Sequence, residues 1–213
     1  MKAVVFDMDG VLFDTERLCM EVWMQVAKES GLERMEEFFP KCIGLNSNDT
    51  RQLIRDFYGD KMDYEVFREA ASLNMKNRIK NEGLPVKKGV HKILNYLKQL
   101  NQKIGLASST RYASVISHLK EAGIVDYFQV IVTGDMIDHS KPQPDIYLLA
   151  CRKLGVEPEE AYAIEDSLNG LKSAHAAGMK PVLVPDLVNP DEEMKELSFL
   201  ICDDLPEVMK YIP

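Results

Sequence analysis

The chain has 213 residues, enough for one large domain or two modest ones. Apolar residues make up 46% and charged residues 28%, and 34 acidic against 26 basic side chains leave a net charge of −8, which excludes a disordered chain and a general nucleic-acid binder. No stretch approaches the run of about 18 apolar residues that marks a membrane span, and the N-terminal apolar run meets Asp7 too soon for a secretory signal, so a cytoplasmic protein is expected.

The first strand is expected at residues 2–6, a β-branched run stopped by Asp7. From residue 15 to about residue 80 the apolar positions take helical spacing: Leu18, Val22 and Val26, then Leu53, Ile54 and Phe57, then Val66, Phe67, Ala70 and Leu73. Gly31, Pro40, Gly44 and Gly59 divide this stretch into several helices, with no strand among them. After Pro85 strands and helices alternate. The spacing predicts helix 90–100, strand 103–107, helix 112–122, strand 129–132, helix 145–154 between Pro144 and Gly155, and strand 161–164. Helix 168–177 follows, with Ser167 as N-cap and Gly178 just past its end. Strand 181–184, a short helix at 192–197, strand 199–202 and a last helix at 205–211 complete the pattern.

Alternating β and α elements predict an α/β fold with a doubly wound, Rossmann-like parallel sheet. Strand one belongs to the same sheet as strands ninety residues later, so the helical stretch is a second domain inserted into the first. The expected boundaries are 1–14 for the first part of the core, 15–82 for the helical insertion and 83–213 for the rest of the core. Cys19, Cys42, Cys151 and Cys202 are widely spaced, with no C-x-x-C pair and no histidine at zinc-finger distance, and are expected as reduced, mostly buried thiols. His91, His118, His139 and His175 fit no catalytic pattern and read as surface or structural residues.

In open α/β sheets ligands bind beyond the carboxyl ends of the strands. Those ends read Asp7-Met8-Asp9-Gly10, Ser108-Ser109-Thr110, a loop with Ser140-Lys141-Pro142, and Glu165-Asp166-Ser167. Two like charges about 4 Å apart repel by roughly 4 kcal/mol at an effective dielectric of 20, so four carboxylates on one edge are either partly protonated or hold a cation. An all-oxygen donor set suits Mg²⁺, which would draw a phosphate whose other oxygens meet Lys141 and the hydroxyls of the Ser108 loop. Asp7, directly ending its strand, is then the better nucleophile. Asp9, two residues on and on the same face if the chain stays extended, is the acid and base.

The segment Asp7-Met8-Asp9-Gly10-Val11-Leu12-Phe13-Asp14-Thr15-Glu16 resembles the first signature of haloacid dehalogenase-like phosphatases. Leu106-Ala107-Ser108-Ser109, Ser140-Lys141-Pro142-Gln143-Pro144-Asp145 and Ile164-Glu165-Asp166-Ser167-Leu168-Asn169-Gly170 resemble the second, third and fourth, in the family's order. The insertion is similar to the helical cap of the beta-phosphoglucomutase-like branch. The resemblance implies Asp7 as nucleophile and Asp9 as acid and base, with Ser108 and Lys141 on the phosphate; Ser109, next to Ser108, is a further candidate phosphate contact. It implies Mg²⁺ on Asp7, the Asp9 backbone carbonyl and Asp166, with Glu165 beside or in that shell. Thr15, Trp23 and Thr110 are candidate substrate contacts, and Thr15 and Trp23 stand where the mutases also carry Thr and Trp.

Two departures point away from a mutase. Its histidine after the first signature falls at Cys19, and its cap arginine should fall within 44–48, which reads Gly-Leu-Asn-Ser-Asn, with no Arg before Arg51. Hydrolysis of a small phosphate ester, such as a sugar phosphate, is therefore expected ahead of phosphoryl transfer on a hexose phosphate. A receiver-like phosphoacceptor module also joins aspartate, Mg²⁺, hydroxyl and lysine, but its aspartate ends an internal strand and no long helical insert follows strand one. No dinucleotide or P-loop glycine motif occurs. Nothing in the sequence demands more than a monomer.

Overall fold

In a computed structural model, residues 2–43, 47–187 and 189–212 are described. The chain opens with β1 (Ala3–Phe6) and passes through four helices, α1 (Thr15–Glu29), α2 (Met35–Phe38), α3 (Ser47–Tyr58) and α4 (Tyr64–Glu82). It continues as α5 (Val90–Gln99), β2 (Lys103–Ser108), α6 (Tyr112–Glu121), β3 (Val130–Thr133), α7 (Asp145–Leu154) and β4 (Ala161–Glu165). The end of the chain forms α8 (Leu168–Ala176), β5 (Lys180–Leu183), α9 (Glu192–Leu197), β6 (Leu200–Ile201) and α10 (Leu205–Val208). Residues 1–14 and 84–213 form one compact unit and residues 15–83 another. Among the described residues, no helix is long and apolar enough to cross a membrane.

The larger unit is the expected α/β fold: six parallel strands in the order β3-β2-β1-β4-β5-β6. Its central strands are buried along nearly their whole length, as a sheet covered on both faces requires. Ile146, Tyr147, Ala150 and Leu154 of α7 pack with Val5, Ala107 and Ala163 of the sheet on one side. The strand register sets which residues meet at the carboxyl edge. Phe6 lies opposite both Leu106 and Ile164, so Asp7, Ala107 and Glu165 leave the sheet at one level. Side-chain caps start the later helices: Ser167 Oγ accepts from the Gly170 amide at 3.1 Å, and Asp191 and Asp204 accept from Met194 and Glu207. The last helix is one turn rather than the expected seven residues, because α10 closes in turns at Met209.

Among its described residues, the regular elements of the smaller unit are all helices. Leu18, Val22 and Val26 line the buried face of α1, and Tyr64, Phe67 and Ala71 that of α4. Trp23 stands edge-on to Phe39 and Phe67 with centroids 5.4 and 5.2 Å away, a packing role inside this unit. Asp63 caps α4 by accepting from the Glu65 and Val66 amides. Arg51 is engaged by Glu65 at 2.5 Å and lies over the Tyr64 ring. Of segment 44–48, where a mutase would carry its cap arginine, residues 44–46 lie outside the described residues. All four cysteines are free, but only Cys151 and Cys202 are buried; Cys19 and Cys42, both in the helical unit, are half-buried.

Candidate active site

Asp7 follows directly on β1, its amide bonded to the Ile164 carbonyl at 2.9 Å and its side chain nearly buried. The strand does not run on from there. The Leu12 and Phe13 amides both turn back to the Met8 carbonyl, at 2.9 and 3.1 Å, and the Gly10 amide reaches the Phe13 carbonyl. Asp9 stands at the entry to this loop, close enough for its charge to act on the Asp7 carboxyl. Its carboxylate receives a hydrogen bond from the Thr110 hydroxyl at 3.0 Å. Gly10 makes the turn possible: its φ is +79°, and a Cβ there would run into the Asp166 carboxylate.

Lys141 arrives from the loop before α7, through a cis Lys141–Pro142 peptide. Its ammonium donates to Asp7 Oδ1 at 2.5 Å, to Glu165 Oε1 at 2.6 Å and to the Ala107 carbonyl at 3.1 Å, filling all three donor positions. Glu165, at the end of β4, is fully buried. Besides Lys141 it takes the Tyr147 hydroxyl at 2.6 Å and a longer bond from Ser167 at 3.3 Å. Gly170 leaves the space this carboxylate occupies; any Cβ there would overlap it.

Burial pushes the Asp7 carboxyl up to about 8, and the nearby Glu165 and Asp9 charges add to the rise, while Lys141 works against it. For Lys141 burial would favour the neutral amine, but the Asp7 and Glu165 carboxylates outweigh it and hold the ammonium above the ordinary lysine value. Tyr147 is held well above its usual range by burial and by Glu165, so it stays a hydrogen-bond donor.

Ser108 closes β2 and is almost wholly buried; its hydroxyl accepts from the Thr110 amide at 3.1 Å. It is not the cap of the next helix. That helix begins after Arg111, and Asp135 Oδ1 accepts from the Tyr112 amide instead. Ser109 is exposed, with its carbonyl packed on Gly134. Asp7, Glu165 and Asp166 each offer a carboxylate oxygen within 4.8 Å of the others. Two of these three are buried and all three donors are hard oxygens, so the set fits a divalent cation such as Mg²⁺. The Asp9 carboxylate stands outside that trio. Thr15 and Trp23 belong to the smaller unit, where Thr15 opens α1.

The larger unit thus brings Asp7, Lys141, Glu165 and Asp166 to one point, with Asp9, Ser108 and Thr110 linked beside it. Tyr147 escaped the sequence reading, and Gly10 and Gly170 were quoted there only as members of the signatures, with no role assigned. Tyr147 stands among the apolar positions of α7, so only its phenol oxygen distinguishes it from core.

The profile of haloacid dehalogenase-like hydrolases matches residues 4–184. The chain belongs to that family. Its relatives include the Phosphorylated carbohydrates phosphatase of Thermotoga maritima, 34% identical over 182 residues and covering 85% of this chain and 84% of that one. The Beta-phosphoglucomutase of Bacillus subtilis is 33% identical over 205 residues, covering 88% of each. The crystal structure of CbbY from Rhodobacter sphaeroides in complex with phosphate aligns with a TM-score of 0.73 at 25% identity, over 98% of this chain and 96% of that one. The fold of this haloacid dehalogenase-like hydrolase is thus shared along nearly its whole length.

Proposed function

We propose that this hydrolase is a Mg²⁺-dependent phosphatase that releases phosphate from a small phosphorylated metabolite, in the class of sugar phosphates, through an aspartyl-phosphate on Asp7. The observation that carries the reading is the buried Lys141 ammonium held between Asp7 and Glu165 with Asp166 at hand. It is a cationic point beside a carboxylate nucleophile at the rim of a parallel sheet. The names of the relatives, a carbohydrate phosphatase among them, support the substrate class.

Mg²⁺ held by Asp7, Asp166 and Glu165, with the Asp9 carbonyl, would neutralise phosphoryl charge. The chain's own residues do the rest. Ser108 and Ser109 hold phosphoryl oxygens, Lys141 sets its positive charge beside them, and a carboxylate oxygen of Asp7 attacks phosphorus in line. The ester P–O bond breaks, its electron pair leaves with the alkoxide, and the alkoxide takes the proton of Asp9. A water then gives its proton to the Asp9 carboxylate as its oxygen bonds to phosphorus, the P–O bond to Asp7 breaks, and inorganic phosphate departs. Thr110 steadies Asp9 through both steps by its hydroxyl.

A mutase must instead hold its substrate's second phosphate. Cys19 in place of histidine, and Arg51 already engaged by Glu65, support hydrolysis. The test is a panel of phosphorylated sugars and other metabolites scored for released phosphate, with EDTA and then Mg²⁺ added. Activity lost to EDTA and restored by Mg²⁺ is expected, and full turnover without metal overturns the mechanism. Conversion of beta-glucose 1-phosphate to glucose 6-phosphate in the presence of a bisphosphate, with no phosphate released, would assign the mutase reaction instead.

A further inference from the structure

Lys141 serves the proposed reaction only if its ammonium stays at one place, and the residues that fix it lie below the site. Three acceptors surround it, and of these Glu165 Oε1 is the one on a movable side chain that does not itself react. That oxygen has a second donor, the Tyr147 hydroxyl, at 2.6 Å. Tyr147 is fully buried in the first turns of α7, four residues after the loop that carries Pro142 and Gln143. Its ring passes beneath Lys141, with the ammonium 5.0 Å from the centroid. One side chain thus touches the ammonium through its π face and the ammonium's counter-ion through its oxygen. The only other side-chain donor to Glu165 among the described residues is Ser167, and its bond is long, at 3.3 Å.

We infer that Tyr147 is a positioning residue for phosphate binding: its hydroxyl fixes the Glu165 carboxylate, which in turn sets the Lys141 ammonium toward the phosphoryl group. The inference rests on the phosphatase reading of the same site. A buried carboxylate that loses one of two short donors turns to recover a partner, and the lysine bonded to the same oxygen moves with it. Outer-shell partners of this kind commonly change affinity or activity by about tenfold or more when removed.

The test is Tyr147→Phe, which keeps the ring and deletes one oxygen. Inorganic phosphate is titrated into the Mg²⁺-loaded protein by calorimetry, at a temperature where the variant is folded. Its Kd is expected to rise about tenfold, with a matching rise in the phosphate needed to raise the melting temperature. A Kd within twofold of the parent overturns the inference. A double-mutant cycle with Glu165→Gln supplies the second arm: if Tyr147 acts through Glu165, the hydroxyl deletion changes the Kd far less in that background. Equal effects in both backgrounds also overturn it. Failure of the parent protein to release phosphate from any ester would instead sink the phosphatase reading, and the phosphate titration distinguishes the two.

Discussion

Asp7 is a carboxyl whose neighbours disagree about its charge. Burial and two flanking carboxylates favour a proton on it, and Lys141 favours the anion. In the proposed reaction Asp7 attacks as the anion, so the positive charge gathered at this point decides whether that reaction can start. Asp7→Asn keeps the shape but has no anionic oxygen to attack with, and turnover of an aryl phosphate should vanish in a steady-state assay. Asp9→Asn leaves the nucleophile in place and should slow the same assay by at least about 100-fold, the usual scale of general acid–base help. Wild-type rates for either variant would remove that residue from its assigned step. At this scale much of the site was legible, because Asp7, Ser108, Glu165 and Asp166 each stand where an apolar run stops at a strand end. Asp9 was legible as a residue, but the loop that follows it was not. The amides of Leu12 and Phe13 that fold the loop onto Met8 leave no mark on side-chain spacing.

At the scale of elements, a strut supports that loop from outside. Lys87 lies just before α5, and its ammonium donates to the Gly10 carbonyl at 2.7 Å and to Asp186 at 2.8 Å, in the loop after β5. Both side chains are largely buried, at 18% and 10% exposure, and the second oxygen of Asp186 is buried without a hydrogen-bond partner. Lys87→Met should therefore strand a buried carboxylate and cost about 3 kcal/mol, read as a lowered thermal midpoint. Lys87→Met combined with Asp186→Leu should recover most of that loss, since an apolar pair of similar volume replaces a buried ion pair at little cost. An unchanged midpoint for the single variant would contradict the strut. The alternation of strands and helices was legible because apolar period changes from two to about 3.6 at each boundary, to within a residue or two everywhere but the end of the last helix. Lys87 was not, because a Lys-Lys pair after a proline-containing turn has the composition of a solvated loop. Tyr147 was hidden by the opposite effect, a polar atom at a position whose spacing is that of core.

On the scale of the whole molecule, the larger unit closes on itself where the helical segment departs. The Asp14 amide donates to the Pro85 carbonyl at 2.9 Å, the Lys87 amide to the Leu12 carbonyl at 2.9 Å, and Phe13 pairs antiparallel with Val86. The outgoing and returning chains are thus already paired within the sheet-bearing unit. Replacing Thr15–Gly83 by a short Gly-Ser linker should leave a chain that melts cooperatively and keeps its α/β circular dichroism. A non-cooperative melt would show that the core needs the helices to fold.

That paired crossing works as a doorway whose frame is independent of the room behind it. Doubling the length of a flexible loop between fixed ends adds only about 0.6 kcal/mol of closure entropy. A core framed in this way can tolerate grafts of very different size at the same threshold.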